Sequence, residues 1–221
     1  LFLWVFGDNV EDALGHVRMR NLESGAALSE PPRFERAIAG LTFAPTGDRV
    51  IVMEAGGGVS LWSWPEARTV LHETNASMAT FDVRGDRLLL WANPGARVVD
   101  ARGGKLLQEW PGCLPHYPDG FSPDGRWLVL LEGTKAVRWI DATTLADAAE
   151  PIANPRPVNA LHLAPDGRSV GIALDRPEVE FWAVPWAVAP PDLVAQPVTR
   201  LWFSPGQDWV ALAIGSGLEL R

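Results

Sequence analysis

The chain has 221 residues, of which 47% are hydrophobic and 21% charged, a balance that suits a globular protein with a sizeable core. A net charge of −8 and a pI of about 5.0 repel phosphate backbones, and no Lys/Arg cluster offsets them, so nucleic acid is not an expected partner. The lone Cys113 rules out an internal disulfide framework, and no apolar run approaches the roughly 18 residues that span a bilayer, so no membrane insertion is expected either.

Taken in chain order, residues 1–36 read as an incomplete unit, with LFLWVFG as a second strand and HVRMRNLESG as a third. Five segments then repeat one pattern: an apolar anchor, a turn rich in Pro, Asp and Gly, and an apolar run. The anchors are Phe43, Phe81, Phe121, Leu163 and Phe203, spaced by 38, 40, 42 and 40 residues. That period matches the ~40–45 residues of a four-stranded propeller blade. Pro presets the backbone of the reversal, Asp supports it by side-chain hydrogen bonds, and Gly takes a positive φ. The following strand is almost wholly apolar because neighbours cover both of its faces.

An alternating stretch keeps phase about 18 residues after each anchor: VSLWSW, ARVVDA, AVRWIDA and VEFWAVP. Trp62, Trp139 and Trp182 are expected at equivalent places in it. More polar outer strands follow, such as RTVLHE and KLLQEW. The fold expectation is all-β: a β-propeller of four-stranded antiparallel blades, about five and a half of them. The units lie at 1–36 (partial), 37–75, 76–114, 115–155, 156–197 and 198–221 (partial). The ring is expected to be incomplete at both ends. It is read as part of a seven-bladed or larger propeller, continuous with further blades or another domain.

The segment GFSPDGRWLVLLEGTKAVRWIDATT resembles the WD-repeat family, in which an F-S-P-D-G turn precedes a W-D strand; Trp139 and Asp141 stand in for that pair with Ile140 between them. The resemblance covers nearly the whole chain and is of the degenerate bacterial type. It implies a circular propeller that scaffolds protein complexes. The family's Gly-His pair is absent, and Glu54 and Glu132 begin the turns where the consensus has Asp, with Asp175 alone a match. The His–Asp–Ser–Trp network of the family is therefore not expected.

No nucleophile elbow is present, and Gly56-Gly57-Gly58 lacks the Lys-Ser/Thr of a phosphate loop and reads as a turn. His16, His72, His116 and His162 are scattered, so neither metal nor cofactor is expected. His162 reads as a residue packed between blades, and Glu178 with Glu180 as a solvated strand end. Asp119 and Pro118 replace the apolar pair Leu161 and Ala160 of the next unit. Either Tyr117 and Asp119, with His116, line a channel site, or the strand is locally irregular; the second is preferred. The resemblance places partner binding on one loop face, with Glu73, Asn75, Trp110, His116, Asn154, Arg156 and Gln196 from one set of loops. Asn93, Lys135, Arg176 and Glu178 come from the other. Trp110 also reads as packed under its own turn. The excursion WAVPWAVAPPDL, Trp182 to Leu193, either exposes Trp186 as a contact or covers an outer edge; the cover is preferred. The functional expectation is a non-enzymatic, cytoplasmic protein-interaction scaffold. The alternative is the propeller portion of a larger enzyme or sensor: a kinase-fused regulatory domain, a peptidase gating domain or a lactonase-like metal propeller.

Overall fold

The structure is a computed structural model. It describes residues 2–5, 18–21, 24–26, 34, 36–64, 66, 68–92, 94–114, 120–154, 156–167, 169–175, 178–183, 187–188, 192–193, 198–204, 210–214 and 217–220. Regular structure among these residues is all strand. The chain divides into two compact units, residues 1–93 with 97–109, and residues 94–96 with 110–221.

In the first unit, β1 (Phe2–Val5) pairs antiparallel with β2 (Arg18–Asn21), setting Trp4 opposite Met19. Four strands then form a sheet in chain order: β3 (Ile38–Phe43), β4 (Arg49–Glu54), β5 (Val59–Ser63) and β6 (Arg68–Glu73). The same order recurs in β7 (Ala76–Phe81), β8 (Arg87–Ala92), β9 (Gly95–Asp100) and β10 (Leu106–Pro111). In the second unit, β11 (Cys113–Leu114), β12 (Trp127–Glu132), β13 (Ala136–Asp141) and β14 (Ile152–Ala153) make a sheet with short inner and outer strands. The next sheet runs β15 (Val158–Leu163), β16 (Ser169–Leu174) and β17 (Glu178–Ala183). Both β18 (Ala187–Val188) and β19 (Asp192–Leu193) pair with β17. Within the Trp182–Leu193 excursion β18 and β19 thus lie along the outer edge of β17, and Trp186 lies outside the described residues. A three-stranded sheet of β20 (Val198–Phe203), β21 (Val210–Ile214) and β22 (Gly217–Leu220) follows.

The repeat is legible atom by atom. In four sheets the residue after the anchor accepts from the turn glycine: Gly47, Gly85, Gly125 and Gly167 donate to Ala44, Asp82, Ser122 and Ala164 at 2.9–3.0 Å. All four glycines have φ between 64° and 75°, which explains the glycine in the motif. Asp124 accepts from the Ser122 hydroxyl at 2.6 Å and from the Arg126 amide at 3.0 Å. A β-bulge sits at one place in four inner strands, between Ile38 and Gly40, Ala76 and Met78, Val158 and Ala160, and Val198 and Arg200. No pattern of apolar residues announces it.

Two expectations are corrected by register. Cys113 pairs with Glu132, just as Ile38 pairs with Glu54 and Val158 with Leu174. It therefore opens the inner strand of its own sheet rather than closing the preceding unit. Eight positions separate Cys113 from the anchor Phe121, against five from Val158 to Leu163. His116, Tyr117 and Asp119 themselves lie outside the described residues.

The second correction concerns the tryptophans. Trp62 lies opposite Val50 and Trp182 opposite Val170, and both partners pair directly with their anchors. In the third complete unit the anchor Phe121 bridges Leu128, whose partner is Ile140, and Trp139 falls opposite Val129. Trp139 is one residue out of phase and points to the other sheet face. It shares one buried cluster with Trp182, together with Val129, Leu131, Leu163, Val170 and Ile172. Two tryptophans from adjacent sheets thus fill a single interface. In the first unit the corresponding core joins Ile51, Val59 and Leu61 to Ala79, Phe81, Leu88 and Leu90.

Candidate functional site

The third strands carry a polar residue at one repeat position. Ser60, Arg138 and Glu180 lie opposite Val52, Leu130 and Ile172, which occupy matching places in β4, β12 and β16. Arg97 matches them by its distance from Ala101, whose amide bonds Asp86 as that of Ala142 bonds Arg126. Every one is bound. Arg97 donates to Glu109 at 2.9 Å and lies 3.6 Å from Glu73 on β6. Glu180 accepts from Asn154 at 3.1 Å and from the Trp182 indole at 2.9 Å, so it is not a solvated strand end. Arg138 meets Asp147 through two nitrogens at 2.7 and 3.2 Å and approaches Glu132 at 3.6 Å. Hydrogen bonding to Asp147 raises the pKa of Arg138 further, against the opposing effect of burial. Long charged side chains thus peg the sheets. Arg97→Met is expected to lower stability by about 1 kcal/mol in urea titrations, since the group is partly solvated, with most of the loss absent in a Glu109→Gln background.

Cys113 lies beneath one of these pegs, its sulfur 3.9 Å from Arg138 Nη1. Burial pushes the thiol up, outweighing the pull of Arg138 in the other direction. Alkylation by iodoacetamide at pH 8 is therefore expected to run at least about tenfold slower in the native chain than in urea, as mass spectrometry would show.

At the same position in the β3–β6 sheet stands the short Ser60. Among the described residues its hydroxyl reaches only His72 Nδ1, at 2.8 Å, and a cleft of about 440 Å³ opens beside it. That is within the roughly 300–1,000 Å³ of small-ligand sites. The cleft is lined by Phe34, Arg36, Glu54, Trp62, Thr69 and Thr74 besides Ser60 and His72. Strand alternation puts Glu54, Ser60 and His72 on one sheet face, because Val52 lies opposite Ser60 and Ser60 opposite His72. Trp62 donates to Thr69 at 3.1 Å and packs on Phe34 with ring centroids 6.1 Å apart.

The triglycine forms the β4–β5 turn, as its sequence suggests, with φ values of 80°, 100° and 125°. A Cβ on Gly58 would stand 3.3 Å from Glu54 Oε1, so the glycine leaves room for that carboxylate. Arg36 caps the turn from outside, donating to Gly57 O at 2.8 Å. Glu54 is only 7% exposed, and its carboxylate has no hydrogen-bond or ion-pair partner among the described residues. The amides of Gly57 and Gly58 are committed to the carbonyls of Glu54 and Ala76. They are not free to stabilise an oxyanion, so the Ser60–His72 pair has the chemistry of a polar lining rather than of a nucleophile.

The loop-face residues fare unevenly. Asn75 and Lys135 are exposed, and Glu73 and Arg156 are half-buried. Trp110, 5% exposed, belongs to the core and offers no surface to a partner, in keeping with the packed alternative. Asn154, 3% exposed, is spent on Glu180 and on the Arg156 amide at 3.0 Å. His162 stacks on Phe203 at 6.0 Å, between neighbouring sheets as expected. Asn93, Arg176, Gln196 and the side chain of Glu178 lie outside the described residues.

No family model and no curated protein matches the sequence. Many solved chains match the fold. One is hydrazine synthase from Kuenenia stuttgartiensis, with a TM-score of 0.63 and 12% identity, over 100% of this chain and 80% of that one. At such identity the likeness speaks for the fold alone: a repeat of propeller-like, four-stranded antiparallel sheets.

Proposed function

We propose that the chain is a degenerate WD-repeat-like β-propeller that serves as a non-enzymatic protein-interaction platform. Recurrence carries this reading. Sheet after sheet repeats one turn and one register, and the charged groups of the third strands are bound to residues of neighbouring strands or loops instead of being displayed. A rigid repeated frame of that kind leaves recognition to its loops and recesses. Asn75 in the first unit and Lys135 in the second are exposed loop residues that a partner protein would read.

Affinity capture on the full chain, with each captured protein then purified and its binding measured, tests the proposal. A saturable partner whose affinity falls about tenfold with Asn75→Arg/Lys135→Glu supports it. A partner indifferent to both exchanges, or substrate turnover by the purified chain, overturns it.

A further inference from the structure

The cleft beside Ser60 has a filled counterpart in the same molecule. Glu54 and Glu132 occupy one repeat position, each the last residue of its second strand and each paired with the start of the inner strand, Ile38 and Cys113 respectively. Ser60 and Arg138 occupy another, two residues before the register partners of Val50 and Leu128. In the second unit the guanidinium of Arg138 stands 3.6 Å from the carboxylate of Glu132. In the first unit the carboxylate is kept and the guanidinium is gone, replaced by Ser60 and an open cleft.

From this pairing we infer that the cleft is a binding site for a guanidinium-bearing cation, with Glu54 as its counter-ion. The inference is independent of the scaffold reading, since a free metabolite would satisfy it as well as a protein would. A carboxylate on a residue only 7% exposed, facing a cleft and with no partner among the described residues, is a site where a planar cation with several N–H donors gains charge-assisted hydrogen bonds. The oxygens of Ser60, Thr69 and Thr74 line the cleft as further acceptors, while Phe34 and Trp62 give apolar walls for an alkyl stem. Arg36 does not already fill the role: its guanidinium is turned onto the carbonyls of Gly56 and Gly57 at 3.4 and 2.8 Å.

Isothermal titration of the full chain with N-ethylguanidinium tests this, with the neutral isostere N-ethylurea as control. One saturable site for the cation and none for the urea is expected. Glu54→Gln should weaken binding at least about tenfold. Ser60→Arg, which restores the side chain of the other sheet, should abolish binding and raise the thermal midpoint. Should Glu54→Gln fail to fold, displacement of the His72 ring resonances of the wild-type chain by N-ethylguanidinium, and not by N-ethylurea, reports the same site. An Ala-Arg-Ala tripeptide that binds more tightly than N-ethylguanidinium assigns the occupant to a protein segment, and equal affinities assign it to a free small cation; both support the site. Failure of the cation to bind the wild-type chain, or undiminished binding by a folded Glu54→Gln, overturns it.

Discussion

Trp139→Ala and Trp182→Ala are each expected to cost about 3–5 kcal/mol in urea denaturation, and the double variant to cost less than their sum by about 1 kcal/mol or more. Both side chains are almost wholly buried and lie in one apolar cluster with Val129, Leu163, Val170 and Ile172. Truncating either opens a cavity in the cluster they share. Once the first is gone, part of the contact the second would lose has already disappeared. The sign of the coupling tests the register. Were Trp139 the true counterpart of Trp182, it would face away from that cluster, and the two losses would add. Ile140 supplies the control, because it lies opposite Leu128 on the face away from Trp139. Ile140→Ala combined with Trp182→Ala should be additive within about 0.5 kcal/mol.

The phase error that this experiment probes was present in the sequence, in a form easy to overlook. Trp62 and Trp182 follow their anchors by 19 residues, but Trp139 follows Phe121 by 18. One residue is trivial for a repeat period and decisive for a strand, whose faces alternate at every step. The anchors, the Pro-Asp-Gly turns and the strand order were readable because each depends on a few adjacent residues. The bulges were not. At Ala39, Ser77, Asn159 and Thr199 the bulge recurs with four unlike side chains, because it is set by backbone pairing between distant strands.

The cleft was half visible for a related reason. In the sequence Glu54 is an acidic residue that opens a turn, His72 an isolated histidine, and the triglycine a turn. Ser60 carries no signal of its own, since a serine is common in an alternating strand. Its significance is that of a missing side chain, and it emerges only when register aligns it with Arg97, Arg138 and Glu180. A site made by subtraction leaves no motif. The opposite holds for Trp110: as a residue type it suggests an interface anchor, but burial settles it as core. Sequence reports what a side chain can do, and packing decides which of those options is open.

Gly95→Ala is expected to destabilise the chain by about 3 kcal/mol, the upper end of overpacking costs. Gly95 opens β9 in an ordinary backbone conformation, so the penalty is not one of φ. It comes from a main chain running alongside. A Cβ here would collide with the carbonyl oxygen of Trp110 and sit 2.9 Å from Pro111 Cα and 3.0 Å from the Trp110 carbonyl carbon. These are backbone atoms, which cannot swing aside as a side-chain tip can. Trp110 itself is anchored in the core, and just beyond it the amide of Gly112 is held by Pro94 at 2.8 Å. The methyl group must therefore push β10 as a whole or shift the start of β9. Gly25→Ala is the comparison: it has the strained positive φ of 67° but open space around it. Its cost should be about 1 kcal/mol, as for an exposed left-handed glycine. Thermal unfolding of the two variants side by side separates close approach from backbone conformation. A Gly95→Ala midpoint no lower than that of Gly25→Ala would mean that β10 yields, and that the strand pair is looser than its geometry shows.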